Sequence, residues 1–469
     1  MKYRINRRNF LRGATAFGTL SSIESLAVSV RSASVTESLP ERSEFIIRNA
    51  YVMTMDSELG DLANGDVYVR NGEIVEVGKQ LIAPNAETID GRDRIVLPGF
   101  IDTHWHLWTA LLRSLAGNTR EQGYFPLTER LGKVYTPEDM YRAVRLAIAE
   151  ALFSGITTVH DFNHNIRNLD YADAAIRGLN ETGIRARFSF GYYQGQSSTE
   201  PTPFEQIAKL QQKWKTVANP NLLSLGLAPR EVLVYGKYRH DWERARELGL
   251  PITVHANSSQ SEAGEIKRLS RDGLLGKDVL IIHATVVTPA EIEQLVNSDA
   301  SVSVTPITEM RGGFGFPPIN ELLSAGVLVS LGVDTTALAG NADMFGIMKA
   351  LQSVGNARAA NEFELSPSRV LELATINGAR ALGIADRVGS LKPGKRADLI
   401  MVSLTNLNLG VFTNPAHLLV EAAQPSNVEM VVVDGRILKL NGQLTALRVD
   451  RVIQNANNSL KSIRHRANQ

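Results

Sequence analysis

From about residue 99 to 385 the chain alternates short apolar runs with longer amphipathic stretches, and this alternation constrains the fold more than any other feature. Runs of strand character end at His104, His160, Phe190, Leu227, His255, His283, Val304 and Val333. Stretches of helical period separate them, among them 137–154, 171–182, 203–217, 289–298 and 343–360. The runs are largely apolar, as strands buried on both faces must be. Eight strands with intervening helices match a (β/α)8 barrel of TIM type, which ordinarily takes about 250 residues. A doubly wound open sheet uses the same alternation, so the polar residues have to separate the two.

They do so by where they fall. Four runs end in a side chain able to bind a metal: LPGFIDTHWH (His104, His106), LPITVHA (His255), DVLIIHA (His283) and VLVSLGVDT (Asp334). In a barrel all strand C-termini open on one face, so these groups converge near the axis. An open sheet would string them along an edge. The barrel therefore explains the pattern better. In His-x-His on a strand the two-residue period puts both rings on one face, a spacing that suits two ligands of one ion. Any one of these histidines, taken alone, reads as a hydrogen-bonded core residue; their joint occurrence at strand ends points to metal. With N and O donors and no sulfur, the site favours one divalent ion, Zn²⁺ first, with Fe²⁺ or Mn²⁺ as alternatives. Such an ion can bring the pKa of a water down to about 7.

The flanks differ from the middle. Between 45 and 97, β-branched runs surround an Asn71-Gly72 turn, and between 398 and 438 a similar set surrounds Asp434-Gly435. Asn-Gly and Asp-Gly between alternating runs are strong hairpin signals. Two β-rich pieces at opposite ends of the chain suggest one small β domain built from both. Residues 448–469 read as a C-terminal helix or tail, with the basic stretch 461–466 as a solvated helix end.

Composition excludes several classes. The 469 residues are 43% hydrophobic and 21% charged, with a formal charge of +1, so nothing in the bulk charge points to nucleic acid. There is no cysteine, which removes disulfides, thiolate metal sites and cysteine nucleophiles. No apolar run reaches the ~18 residues of a membrane span. The expected partner is a small-molecule substrate, with no nucleic acid and no membrane; a homo-oligomer is left open. At the N-terminus, NRRNFLRG with Arg7-Arg8 resembles a twin-arginine export signal, followed by a weak apolar region and a small-residue cleavage candidate near Ser32-Ala33-Ser34. On that reading the mature protein (beyond about residue 34) is periplasmic. A disordered basic tail on a cytoplasmic protein is the alternative.

PGFIDTHWH, the strand-end histidines, the late aspartate and SLKPGKRADLIMV resemble the amidohydrolase superfamily, more narrowly its cytosine deaminase and triazine chlorohydrolase branch. The resemblance runs from about residue 44 to 447. It implies a composite β-sandwich of 44–97 with 386–447, and a barrel over 98–385. It also implies that His104, His106, His255 and Asp334 bind one metal, that Asp334 takes a proton from water, and that His283 contacts the attacking water or the substrate. Two-metal relatives carry a lysine at the end of strand four. The matching run here, LLSLGLAPR, has none, which implies a mononuclear site.

One departure stands out. Deaminases of this branch place a glutamate three residues after the strand-five histidine, and here that residue is Ser258. A serine hydroxyl cannot act as a general acid near neutral pH. Glu309 in TPITEMRGG is the first candidate replacement, with a solvated-loop role as the alternative, and Glu262 is the second. The loss weighs against heterocycle deamination and towards ring-opening amide hydrolysis. Further substrate-binding candidates are Arg230, His164 and Trp108, each with a plain structural alternative: an ion pair, an ordinary loop histidine and core packing. Trp105 is expected to pack behind the barrel, His160 to lie at a strand end, and the glycines around 312–315 to form a lid or turn near the pocket. The overall expectation is a metal-dependent hydrolase of carbon–nitrogen bonds other than peptide bonds, such as those of a cyclic amide, an amidine or an amino-heterocycle. Its rival is a periplasmic binding protein that kept the metal but lost turnover.

Overall fold

The computed structural model describes residues 38–469. The twin-arginine-like stretch and its cleavage candidate lie outside them. The described chain forms two sheets. The first contains β1 (Phe45–Val52), β2 (Leu62–Arg70), β3 (Glu73–Gly78), β4 (Glu87–Asp90) and β5 (Arg94–Pro98). The second contains β6 (Phe100–Trp105), β7 (Ile156–Asn163), β8 (Arg185–Gly191), β9 (Leu223–Ala228), β10 (Ile252–Ala256), β11 (Val279–His283), β12 (Ser301–Val304) and β13 (Val329–Leu331). The chain then returns to the first sheet through β14 (Leu399–Ser403), β15 (Val428–Val433), β16 (Arg436–Leu440) and β17 (Gln443–Leu444).

The first sheet is nine-stranded, in the order β17-β16-β15-β14-β5-β1-β2-β3 with β4 paired to β1. Its two sequence-distant halves join where β14 runs antiparallel to β5, from Leu399↔Pro98 to Ser403↔Arg94. Both expected hairpin turns form, with positive φ at Asn71 and Gly72 and at Asp434 and Gly435. The turn tips pack on each other: a Cβ on Gly435 would lie 2.4 Å from the Gly72 Cα, so neither tip tolerates a side chain.

The second sheet is parallel, and its eight strands follow one another in chain order from β6 to β13. The helices expected from periodicity occur at Pro137–Phe153, Leu169–Thr182, Phe204–Val217, Pro289–Ser298 and Met344–Ala359. Two begin at capping boxes followed by proline, Thr136 with Asp139 and Thr288 with Glu291. In the helix Val449–Ala467 the basic residues Lys461, Arg464 and His465 are exposed, as expected, while Arg466 is drawn in. Val452, Ala456 and Ile463 are buried, and Arg466 donates to the Val134 carbonyl at 2.8 Å and pairs with Asp139.

The barrel closes through backbone hydrogen bonds beyond its last strand. β6 and β13 meet through the residues just beyond β13: the Asp334 N–H donates to the His104 carbonyl and the His106 N–H to the Asp334 carbonyl, both at 2.7 Å. Beneath them the buried Asp102 carboxylate accepts from the N–H groups of His104 (3.0 Å) and Val333 (3.3 Å). Gly332 makes this approach feasible, because a Cβ there would lie 2.7 Å from the His104 carbonyl oxygen. The seam that shuts the barrel is thus built from three of the residues expected to bind metal.

Candidate metal centre

His104 and His106 extend from the end of β6, His255 from β10 and His283 from the last position of β11, and Asp334 follows β13. His283 and Asp334 have φ of +77° and +65°, left-handed values that non-glycine residues rarely adopt and that turn both side chains over the barrel mouth. His104 Nε2 lies 3.3 Å from both His255 Nε2 and Asp334 Oδ1, and His106 Nε2 lies 3.2 Å from Asp334 Oδ1. One donor atom from each of His104, His106 and His255 falls within 4.8 Å of the others, as does one from each of His104, His283 and Asp334.

Partners behind the rings set their tautomers. His106 Nδ1–H donates to the Phe162 carbonyl at 2.7 Å, and His255 Nδ1–H faces Glu231 Oε1 at 3.3 Å. Both rings therefore present an Nε2 lone pair to the centre. Burial pushes the pKa of His104 well below the ordinary imidazole value and also lowers His106, so these rings are neutral. Burial raises the Asp334 carboxyl, but the imidazoles of His104 and His106 beside it outweigh burial and hold the group well below its usual range. Lone pairs of neutral imidazoles crowded around a carboxylate cannot satisfy one another. A divalent cation can, and this N,O donor set fits one.

His283 is treated differently. Burial alone would lower its pKa, but Glu309 Oε1 at 3.2 Å from Nδ1, with Asp334, raises it. Its Nε2 lies 4.0 Å from Asp334 Oδ2.

His106, His255, His283 and Asp334 line a cavity of about 530 Å³, together with His164, Tyr124, Tyr192, Glu231, Ser258 and Glu262. Several expectations need correcting here. Glu309 does not face the cavity. It is fully buried and folds back to accept from the Thr305 N–H at 2.8 Å and to hold His283. Glu262 does face the cavity, and its carboxylate accepts the Ser258 N–H at 3.1 Å. Arg230 is turned away, donating to the carbonyls of Ser197 (2.8 Å) and Glu200 (2.6 Å) and stacking over Tyr235 at 3.6 Å. Trp108 lies behind the wall, where its indole N–H donates to His164 Nδ1 at 2.8 Å. His164 does line the cavity, stacked on His106 with ring centroids 3.7 Å apart. His160 lies inside β7, bonded to the Thr103 carbonyl and Ser189 Oγ, both at 2.8 Å. Trp105 is buried in the main core and Phe314, from the glycine-rich segment, lines the cavity, both as expected.

Sequence reasoning missed Glu231, which braces His255 and accepts from Tyr192 at 2.8 Å. It also missed Tyr124, whose buried hydroxyl has no hydrogen-bond partner among the described residues. Glu231 lies three residues beyond Ala228, the last residue of β9, so the strand-end rule that found the histidines passes over it.

Residues 95–438 match the model of the amidohydrolase family. The chain is 30% identical over 449 residues to a 5'-deoxyadenosine deaminase of Methanosarcina acetivorans, spanning 91% of this chain and all of that one. It is 29% identical over 412 residues to a 5-methylthioadenosine/S-adenosylhomocysteine deaminase of Thermococcus sibiricus, spanning 84% and 94%. Among solved structures, a zinc-bound adenosine deaminase from Xanthomonas campestris superposes with TM-score 0.81 at 26% identity over 91% of this chain and all of that one. A triazine hydrolase variant superposes with TM-score 0.80 at 23% identity, over 90% of this chain and all of that one, and shares the fold. The chain belongs to the amidohydrolase family and is a hydrolase acting on carbon–nitrogen bonds.

Proposed function

We propose that this enzyme releases ammonia from an amino-substituted purine of the adenosine type, using one divalent cation held by His104, His106, His255 and Asp334. The observation that carries the reading is the meeting of those four side chains, from three separate segments, at one cavity, whose lining includes His106, His255 and Asp334 with His104 buried directly behind them. A cation bound there supplies Lewis acidity that makes a water acidic near neutral pH. Asp334 Oδ2, the oxygen turned towards His283, accepts the proton that water gives up. His283, held at Nδ1 by Glu309, presents Nε2 to the negative charge that develops on the attacked carbon's substituents. Glu262 faces the same space and is the group placed to protonate a ring nitrogen. Asp334 passes its proton to the departing amino group and the proton of the added hydroxyl goes to Glu262, so that one water is consumed and one ammonia leaves. The relatives favour deamination over the ring-opening hydrolysis suggested by Ser258, and Glu262 supplies the acid whose absence argued against it.

The test is ammonia release by purified enzyme on 5'-deoxyadenosine, methylthioadenosine and a panel of cyclic amides, before and after chelation. Activity on the aminopurines is expected to be lost on chelation and restored by Zn²⁺, Fe²⁺ or Mn²⁺. Full activity after metal removal would refute the proposed centre, and activity on cyclic amides alone would refute the proposed substrate class.

A further inference from the structure

At the opposite end of the barrel from the catalytic mouth, where strands β7, β8 and β9 begin, lies a small niche of about 60 Å³. Thr158, Arg185, Arg187 and Arg387 line it, together with apolar residues that include Leu222 and Leu382. Its charges do not balance. Arg185 is paired with Asp398 at 2.6 and 2.9 Å and also donates to the Asn221 carbonyl at 2.7 Å. Arg387 donates to the same carbonyl at 2.7 Å. Arg187, 91% buried by its 9% exposure, donates only to the Leu382 carbonyl. Among the described residues no carboxylate pairs with it, and its Nε has no partner. The Thr158 hydroxyl, 1% exposed in the same niche, likewise has no partner among the described residues.

Nearby buried acids are already committed, and Asp386 beside Arg387 is exposed to solvent. Asp398 serves Arg185 and accepts the Asp434 N–H at 2.8 Å, while Asp434 pairs with Arg42 and Arg396. His160, the next polar group along the interior, is neutral: burial, with Arg187 adding to the effect, lowers its pKa to about 3. Arg187 itself is lowered by burial to about 10 and so stays protonated at neutral pH. A buried guanidinium without counter-charge is a large electrostatic liability. Water would satisfy the open Nε–H and hydroxyl but leave the charge unbalanced. A small anion satisfies both.

We infer that this niche binds one small monovalent inorganic anion, chloride in solution, between Arg187 Nε, Thr158 Oγ1 and the flanking guanidinium groups. The space is too small for a nucleotide or sugar phosphate. The site is independent of the catalytic centre, which occupies the other ends of the strands.

The test uses the metal-loaded full chain. Crystals soaked in sodium bromide should show an anomalous peak within hydrogen-bonding reach of Arg187 Nε and Thr158 Oγ1. Melting temperature should be a few degrees higher in chloride than in gluconate at equal ionic strength, because an ion that binds only the folded state stabilises it. Arg187→Gln should abolish that difference. If Arg187→Gln does not fold, Thr158→Val, which removes one neutral donor, should reduce the difference. A niche holding water alone, with no bromide peak, would overturn the inference. So would a chloride effect that persists unchanged in both variants.

Discussion

Serine at position 258 leaves the wall beyond His255 without a carboxylate of its own, and the chain supplies one from four residues further on. The Glu262 carboxylate turns back to accept the Ser258 N–H and opens on the cavity. Glu309 is held by the Thr305 N–H and His283 and cannot reach a substrate without abandoning both. The two carboxylates therefore predict different losses. Glu262→Gln should reduce kcat by about 10²–10⁴-fold, the range for a general acid, with metal content unchanged. Glu309→Gln keeps the shape but removes the charge that favours protonated His283, so its main effect should be on the pH dependence of kcat. Steady-state kinetics across pH, with metal analysis of each variant, separates these outcomes. The sequence made the ligand side chains readable because each ends an apolar run. Glu309 misled because the helix Pro306–Gly312 starts directly after β12, folding a residue that reads as loop against the back of His283.

At the scale of elements, the closing seam couples barrel geometry to the metal centre. Gly332 has no room for a methyl group: its Cβ would sit 2.7 Å from the His104 carbonyl oxygen and 2.9 Å from the His104 nitrogen. Those are backbone atoms and cannot swing aside. Gly332→Ala should therefore destabilise the fold by about 1–3 kcal/mol, the usual cost of overpacking, and weaken metal retention in the same variant. Urea denaturation and metal titration check the two effects together. A stable variant with normal metal affinity would show that the seam does not position the ligands. Helices at this scale were legible from their period, and the structure adds that two of them start at capping boxes, Thr136-Pro137 and Thr288-Pro289. His160 was harder to place, because β7 continues three residues past it to Asn163 and nothing in HDFN marks where pairing stops. Glu231 was not legible because it lies three residues beyond Ala228, the last residue of β9, whereas His104, His255 and His283 lie within their strands.

Across the whole molecule, the nine-stranded sheet is held to the barrel partly by a buried amine. Lys439 on β16 is fully buried, donates to the Phe153 carbonyl at 2.6 Å, and lies 3.8 Å over the Phe153 ring. Burial lowers its pKa from the ordinary 10.5 to about 8. Between those values the unfolded chain binds more protons than the folded one, so this group makes stability rise with pH through that window and leaves it unaffected above it. Lys439→Met should remove that rise, seen as a smaller difference between urea midpoints measured at pH about 7 and about 10 than in the unaltered protein. An unchanged difference would show that Lys439 titrates normally. Joining of the two chain ends into one sheet was legible from the two hairpin turns, but their tip-to-tip contact was not, since it depends on a register between strands more than 300 residues apart. The seam carries a last consequence. Its two sides come from the first and the final barrel strands, so a nascent polypeptide still lacking β13 possesses the histidines but no place to put an ion. Synthesis has to run nearly to completion before this enzyme can acquire its reactive centre, and no truncated product released earlier could hydrolyse anything by this route.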